Sequence, residues 1–465
     1  MSRIGAMSGF LTSSIGASSI GVTCAAVLAL PLTLPAAAAP ARPVGARTAG
    51  SAVPGDTRSL PLVPLTRDSA HGTAPEQGLY RDDVGHFSLV GVVWDNPDTE
   101  LHGRVQVRTR AAGTGRWSGW QDVETHNADH GADPGTAERA SGQVRGATAP
   151  LWVGDSDGVE VRVRAEAEAD GADGTQTMNA RSPLPSGLRL ELVDPGDDPP
   201  PAGPPAGNPP IGTLKEAEAA ASAVNTDLAP FAATEIPALG RAETEMQLMA
   251  LRGDQLTEAQ RSKPYIGPRP GIVTRRGWGA DESLREKGFV YTKKVKAAFI
   301  HHTASGNNYR CSQAPSVIRS IYRYHVRSMG WRDIGYNFLV DKCGTIYEGR
   351  AGGVSKAVRG AHTLGFNTNS MGIAVIGTYG SSKPSAAAVK AIARLTAWKL
   401  GLYGANPRGK TYLTSGGGNL YPKGKNVRLN VISGHRDGFS TECPGKQLYA
   451  KLGSARSTAA RYQGR

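Results

Sequence analysis

Near the C-terminal end of the chain, the stretch ISGHRDGFSTECPG, Ile432 to Gly445, sets His435 eight positions before Cys443. An imidazole and a thiol this close on a loop can belong to a disulfide-bonded surface turn, or can offer nitrogen and sulfur to a transition metal. A third donor stands at the end of an apolar run. In VKAAFIHHTA, alternation along a strand puts His301 with Phe299 on one face and His302 with Ile300 on the other, so one site cannot easily use both. His301, His435 and Cys443 therefore make a two-nitrogen, one-sulfur set suited to zinc, which in hydrolytic centres keeps three protein ligands and a fourth position for water. The same residues allow a metal-free alternative, with Cys443 as nucleophile and His435 as its base. His325 lies on the apolar face of a helical stretch, with Val317, Ile318, Ile321 and Tyr322, and reads as a core residue.

The compartment bears on the thiol. The first forty residues read as an export signal: Arg3 is their only charge, SIGVTCAAVLALPLTLPAAAA is small and apolar, and alanines near Ala38 and Ala41 offer cleavage sites. An uncleaved membrane anchor is the competing reading, against which Pro31 and Pro35 interrupt the run. Cleavage discards Cys24 and leaves Cys311, Cys343 and Cys443. One disulfide can form among three cysteines, and the remaining thiol is free, intermolecular or metal-bound. Cys443, beside His435, is the best placed to be a metal thiolate.

Stepping outward to the elements that must hold these residues, the 465-residue chain divides by charge. From Tyr265 onward there are 32 Lys+Arg and 8 Asp+Glu, a net of +24; subtraction from the totals of 53 and 40 leaves 21 and 32, or −11, for the first 264 residues. A basic half implies an acidic partner. No finger, RNP or KH pattern is present, so nucleic acid is not expected, and teichoic-type phosphates or wall-peptide carboxylates fit an exported chain better. The acidic half can compete with such a polymer for the basic surface.

From about Leu60 to Pro195 the pattern is that of short half-buried strands: VEVRVR and LRLEL alternate strictly, FSLVGVVW and RVQVRTR add two runs, and Gly, Asp and Pro punctuate them. A β-sandwich-like domain over 60–195 is predicted. Trp117 and Trp120 in RWSGWQ suit core or edge packing, or stacking on sugar rings. The run DPGDDPPPAGPPAGNPPIG reads as a stiff linker, and TLKEAEAAASAV and AETEMQLMALRGDQLTEAQRSK as connecting helices, together filling 196–264. Over 265–465 strands alternate with helices, which predicts an α/β domain: a buried strand at AAFIHH, a helix from Ser316, a hairpin turning at Asp341 to Gly344, a strand at MGIAVIGTY and a helix closed by Gly404. Residues 1–38 are assigned to the signal.

Five ordered blocks, TRRGWGADES, FIHHTA, YRYHVRSMGWRDIGYNFLVDKCGTIYEGR, GAHTLGFNTNSMGIAVIGTY and ISGHRDGFSTECPG, span some 180 residues. Together they resemble the zinc N-acetylmuramoyl-L-alanine amidase and peptidoglycan recognition protein family. The resemblance implies an α/β fold with a central mixed sheet flanked by helices and a groove ending at zinc. Carried over by position, it implies zinc ligands at His301, His435 and Cys443, a catalytic tyrosine at Tyr336, a second polar catalytic group at Thr441, and substrate contacts at His362 and Asn369. All three ligand positions are filled, which argues for an enzyme over a recognition protein that has lost one. It also leaves Cys311 and Cys343 as a structural disulfide. The expected protein is a secreted, wall-associated monomer that cuts the bond between N-acetylmuramic acid and L-alanine in peptidoglycan, with anionic wall polymers as further partners and no integral membrane partner. The alternative is a module that binds peptidoglycan without cutting it.

Overall fold

The computed structural model describes residues 55–65, 76–125, 127–166, 183–198 and 214–465. The expected signal over 1–38 and most of the Pro-rich run lie outside the described residues.

The N-terminal region is built from β1 (Thr57–Pro61), β2 (Val63–Pro64), β3 (Glu76–Arg81), β4 (Phe87–Trp94), β5 (Gly103–Ala111), β6 (Gln121–Val123), β7 (Gly146–Ala147), β8 (Leu151–Ala165) and β9 (Arg189–Val193). All pairings are antiparallel, and the 15-residue β8 joins them into one network: its first half pairs with β4, its second half with β3 and β5. Val159, Val161 and Val163 face inward, while Glu160, Arg162 and Arg164 face the surface, as strict alternation requires. Val90 and Val92 of β4 and Leu190 and Leu192 of β9 share a core with Val105 and Val107 of β5 and the β8 valines. The sheet thus closes over itself around a sandwich-like core. Trp117 stacks on Tyr80, and Arg108 and Arg162 lie over Trp120, so both tryptophans serve this domain's edge.

In the C-terminal half a seven-stranded mixed sheet runs in the order β10 (Glu235–Ile236), β11 (Ile272–Val273), β14 (Ile346–Glu348), β13 (Phe338–Val340), β15 (Ser370–Val375), β12 (Ala297–His302), β18 (Ile432–Gly434). The central strands β12 and β15 are buried at every position and pair in parallel, which is why they read as unbroken apolar runs. Helix α4 (Ala314–Arg323) covers one face, and α5 (Ala386–Gly401) and α7 (Leu452–Gln463) cover the other. The connecting segment forms α1 (Glu216–Ala223), α2 (Arg241–Arg252) and α3 (Glu258–Ser262), the second predicted helix being split at Gly253 by a 3-10 turn. A hairpin, β16 (Lys410–Thr414) and β17 (Asn426–Asn430), and the short α6 (Lys446–Tyr449) complete the fold. Among the described residues no helix is long and apolar enough to cross a membrane.

The two folds are not beads on a linker. Leu89, Val93 and Val193 pack into the same apolar cluster as Val317, Ile318 and Ile321 of α4. Past α4 the chain widens into a π-type turn, Tyr324–Ser328, which aims two side chains at the β domain: Tyr324 Oη donates to Thr148 O at 3.1 Å, and Ser328 Oγ donates to Glu191 at 2.7 Å. Gly91 permits this approach, because a Cβ there would sit 2.4 Å from Tyr324 Oη. The start of the Pro-rich run is docked as well, with Arg319 donating to Pro195 O and to Asp198. Deepest of all, Arg350 makes a two-pronged ion pair with Glu138 at 2.9 and 2.8 Å, both side chains about 5% exposed or less.

Removing one partner of such a pair strands the other in a dry interface. Glu138→Ala is expected to lower unfolding stability by about 3–5 kcal/mol, and Glu138→Leu with Arg350→Met by much less. Denaturant titrations of the three proteins check this; a Glu138→Ala loss under about 1 kcal/mol would show that Arg350 finds water instead.

Candidate metal centre

The site is assembled by strand register. β12 pairs in parallel with β18, Ile300 opposite Gly434, so His301 and His435 emerge side by side at the same end of the sheet. At His435 the chain enters a 3-10 turn, His435–Asp437, closed by Asp437 accepting from Gly434 N at 2.9 Å. The loop then doubles back: Arg436 N donates to Cys443 O at 3.0 Å, and Cys443 N to Thr441 Oγ1 at 3.1 Å. This brings Cys443 Sγ to 3.8 Å from His301 Nδ1. The exposed Glu442 is held outward by Arg436, away from the donors.

A fourth donor comes from the other domain. One ligand atom from each of His130, His301, His435 and Cys443 lies within 4.8 Å of the other three, and the residues are 9%, 0%, 0% and 1% exposed. His130 sits between β6 and β7, more than 170 positions before His301. Its neighbour Asp129 accepts from His130 Nδ1 at 2.8 Å with its carboxylate and from His435 Nε2 at 3.2 Å with its backbone oxygen. These bonds orient both rings. They leave His130 Nε2 and His435 Nδ1 buried without partners. Two orphaned nitrogens beside a thiol are costly in a dry site unless a cation takes their lone pairs. The donor set therefore fits a soft-to-borderline metal such as zinc.

Charge in the pocket follows burial. Desolvation, and then neighbouring imidazoles, push His301 well below the ordinary histidine value. Burial pulls His435 down to about 3 against the pull of Asp129. Burial, then the Asp129 charge, pushes the Cys443 thiol well up. Burial would raise Asp129 too, yet the facing His130 and His435 and the bonds from His130 and Thr441 outweigh it and hold it below the usual carboxylate range. A bound cation inverts this logic for the thiol, which ionises on coordination.

The other anticipated residues fall in two groups. Tyr336 is buried with its ring 5.5 Å from that of His301, and burial followed by the charges of Cys443 and Asp129 keeps its phenol protonated. Thr441 Oγ1 accepts from Cys443 N, in the loop that carries the thiol. His362 and Asn369, by contrast, are not among the clustered donors. His362 is wholly buried behind His301, rings 5.2 Å apart, wedged over Gly372. Asn369 precedes Ser370, which pairs with Ala297, so it lies at the end of the sheet opposite His301, in a left-handed turn (φ 59°) that accepts from Lys294 N. His325 accepts from Gly335 N at 3.1 Å and packs on Trp331, a core residue as expected. His302 faces away from the cluster and accepts from Tyr379 N. Cys311 and Cys343 form a disulfide. Sequence reasoning missed His130, Asp129 and Thr363, whose hydroxyl stands 3.4 Å from His301 Nε2. The one available signal was the Asp-His pair in NADHGADPG.

Sheet order, flanking helices and the donor cluster at the strand ends define a mixed α/β domain with a site able to hold a metal. Residues 291–446 match the N-acetylmuramoyl-L-alanine amidase family, and residues 43–183 match the family described as Rv3811 N-terminal galactose-binding domain-like. Peptidoglycan-recognition protein SC2 of Drosophila simulans is 33% identical over 183 residues, 39% of this chain and 84% of that protein. Peptidoglycan-recognition protein 1 of Holotrichia diomphalia is 31% identical over 198 residues, 42% of this chain and 84% of its own. Among solved structures, Drosophila PGRP-LB aligns at 27% identity over 39% of this chain and 92% of that one, with a TM-score of 0.31. The chain belongs to the N-acetylmuramoyl-L-alanine amidase and peptidoglycan-recognition protein family.

Reactivity of the thiol follows from its burial. Iodoacetamide is expected to label Cys443 in urea but not in the native protein, and Cys311 and Cys343 only after reduction, as peptide mapping would read out. Rapid native labelling of Cys443 would mean that the 438–445 loop does not enclose it.

Proposed function

We propose that this protein is an exported zinc-dependent amidase that hydrolyses the bond between N-acetylmuramic acid and L-alanine in peptidoglycan. The observation that carries the reading is the convergence of His301, His435 and Cys443 at one end of the sheet, two nitrogens and one sulfur with buried unpartnered valence. Zinc held there would supply a Lewis acid for a poorly electrophilic amide carbonyl and would acidify water. The chain's own groups do the rest. Tyr336, kept protonated, is the hydrogen-bond donor for the oxyanion that develops on the carbonyl. The Thr441 hydroxyl serves the same oxygen. Asp129, or water in its place, holds His435 by its Nε2 and fixes the nitrogen it presents.

The metal-free peptidase reading draws no support from the environment: the Cys443 thiol is pushed up, where a nucleophile needs a lowered value and access. Non-catalytic binding of peptidoglycan is favoured by one observation, the deep burial of the cluster. The family relationship and the basic C-terminal half support peptidoglycan and anionic wall polymers as partners of either form. The disulfide and the apolar leader support export and wall association. We assign the chain as a monomer.

Purified protein is expected to hold about one zinc per chain. Digests of peptidoglycan should yield new L-alanine amino termini and no new reducing ends, and a chelator should abolish them. Retention on walls with no amino termini released by the full chain or by its His130→Ala variant would select the binding module. His301→Ala should lose most of the zinc and the cleavage, whereas His302→Ala should keep the zinc and lose stability; the reverse result would mean that the facing of β12 is wrong.

A further inference from the structure

We propose that His130 is a fourth protein ligand to the metal, delivered by the β domain, and that the resting chain is a closed, latent form whose hydrolysis requires the 127–145 segment to lift away. The proposal rests on the amidase reading for its consequence, but the ligand assignment stands on the geometry alone.

The segment between β6 and β7 lies across the end of the α/β sheet and is fastened on both sides of His130. Just before it, Leu364 N donates to Asp129 O at 3.0 Å. After it, Asn367 Nδ2 donates to Gly131 O at 2.8 Å, Gly365 N to Asp133 Oδ1 at 2.8 Å, and Glu138 holds Arg350. Between these anchors the His130 ring packs against those of His435 (4.6 Å), His301 (5.3 Å) and Tyr336 (5.8 Å). Its Nδ1 is bound to Asp129, so the tautomer leaves the Nε2 lone pair free, and that atom is buried with no partner. A carboxylate–histidine pair presenting an open nitrogen is the arrangement of a metal ligand with its outer partner. Donors around one zinc stand roughly 3.5 Å apart, so the observed spread needs a contraction of about an ångström.

A catalytic zinc keeps an open position, and four protein donors close it. With a zinc held there, His130 would take the place that water needs, and its ring packs edge-on against Tyr336. One segment would thus stand before both the nucleophile and the oxyanion donor. Activation would need water in place of the His130 imidazole, with no covalent change.

The test uses the full chain loaded with Co(II) in place of zinc, as wild type, His130→Ala and His130→Gln, with near-UV circular dichroism as the control for folding. Wild type should show the visible spectrum of a centre with four protein donors and no exchangeable water by solvent proton relaxation. Both variants should change the spectrum, gain water relaxation severalfold and bind zinc at least about tenfold more weakly. In their zinc forms, release of L-alanine amino termini should rise tenfold or more. An exchangeable water already present in wild type, or identical spectra in all three proteins, overturns the ligand assignment whatever the activity. Altered spectra with no hydrolysis by any form uphold the ligand, and count against the amidase reading and the latency built on it.

Discussion

Three imidazoles and a thiol buried within 4.8 Å of one another are the constraint around which this structure is organised. In water each group would be solvated. Here two nitrogens have no hydrogen-bond partner, although His435 Nδ1 stands 3.6 Å from the Asp129 carboxylate, and a cation would remove the cost of leaving them so. Much of the α/β domain exists to hold that arrangement. The parallel pairing of β12 with β18 sets His301 beside His435, and the loop closing on Arg436 returns Cys443 to the same point. The TRRGWGADES block is part of the scaffold. Arg275 is buried between Glu282 and Asp333, and Trp278 donates to Glu348 O, which fixes β14 and the turn leading to Tyr336.

What could be read in advance was what is local or periodic. His301 and His302 were separable because a strand alternates its side chains, and β12 obeys that rule. The hairpin at Asp341 and the buried runs of β12 and β15 were legible for the same reason. His435 and Cys443 are eight residues apart and carried their own hint. His130 carried only the adjacent Asp129, because its place depends on how one fold docks on another, and no periodicity encodes a contact across 170 residues. His362 and Asn369 were placed by resemblance alone. They sit in a segment whose order in the chain matches the family, but order does not say which end of a strand a residue occupies.

The charge division suggested a diffuse attraction between an acidic half and a basic one. The interface is instead specific and largely dry. Glu138 on Arg350, Asp133 on the amides around Asn367, and Tyr324 against Gly91 are contacts that salt screens weakly. A closure built this way does not loosen by dilution of charge. It would open only when something competes for the same buried groups, Arg350 and Asn367 among them.

The central claim is that the β domain completes the metal centre of the α/β domain. Zinc K-edge absorption measured on the zinc-loaded full chain counts the donors directly. One sulfur and three nitrogens, all from protein, are expected, with Cys443 as the sulfur and His130 among the imidazoles. One sulfur, two imidazoles and a solvent oxygen would show that the β domain contributes no ligand.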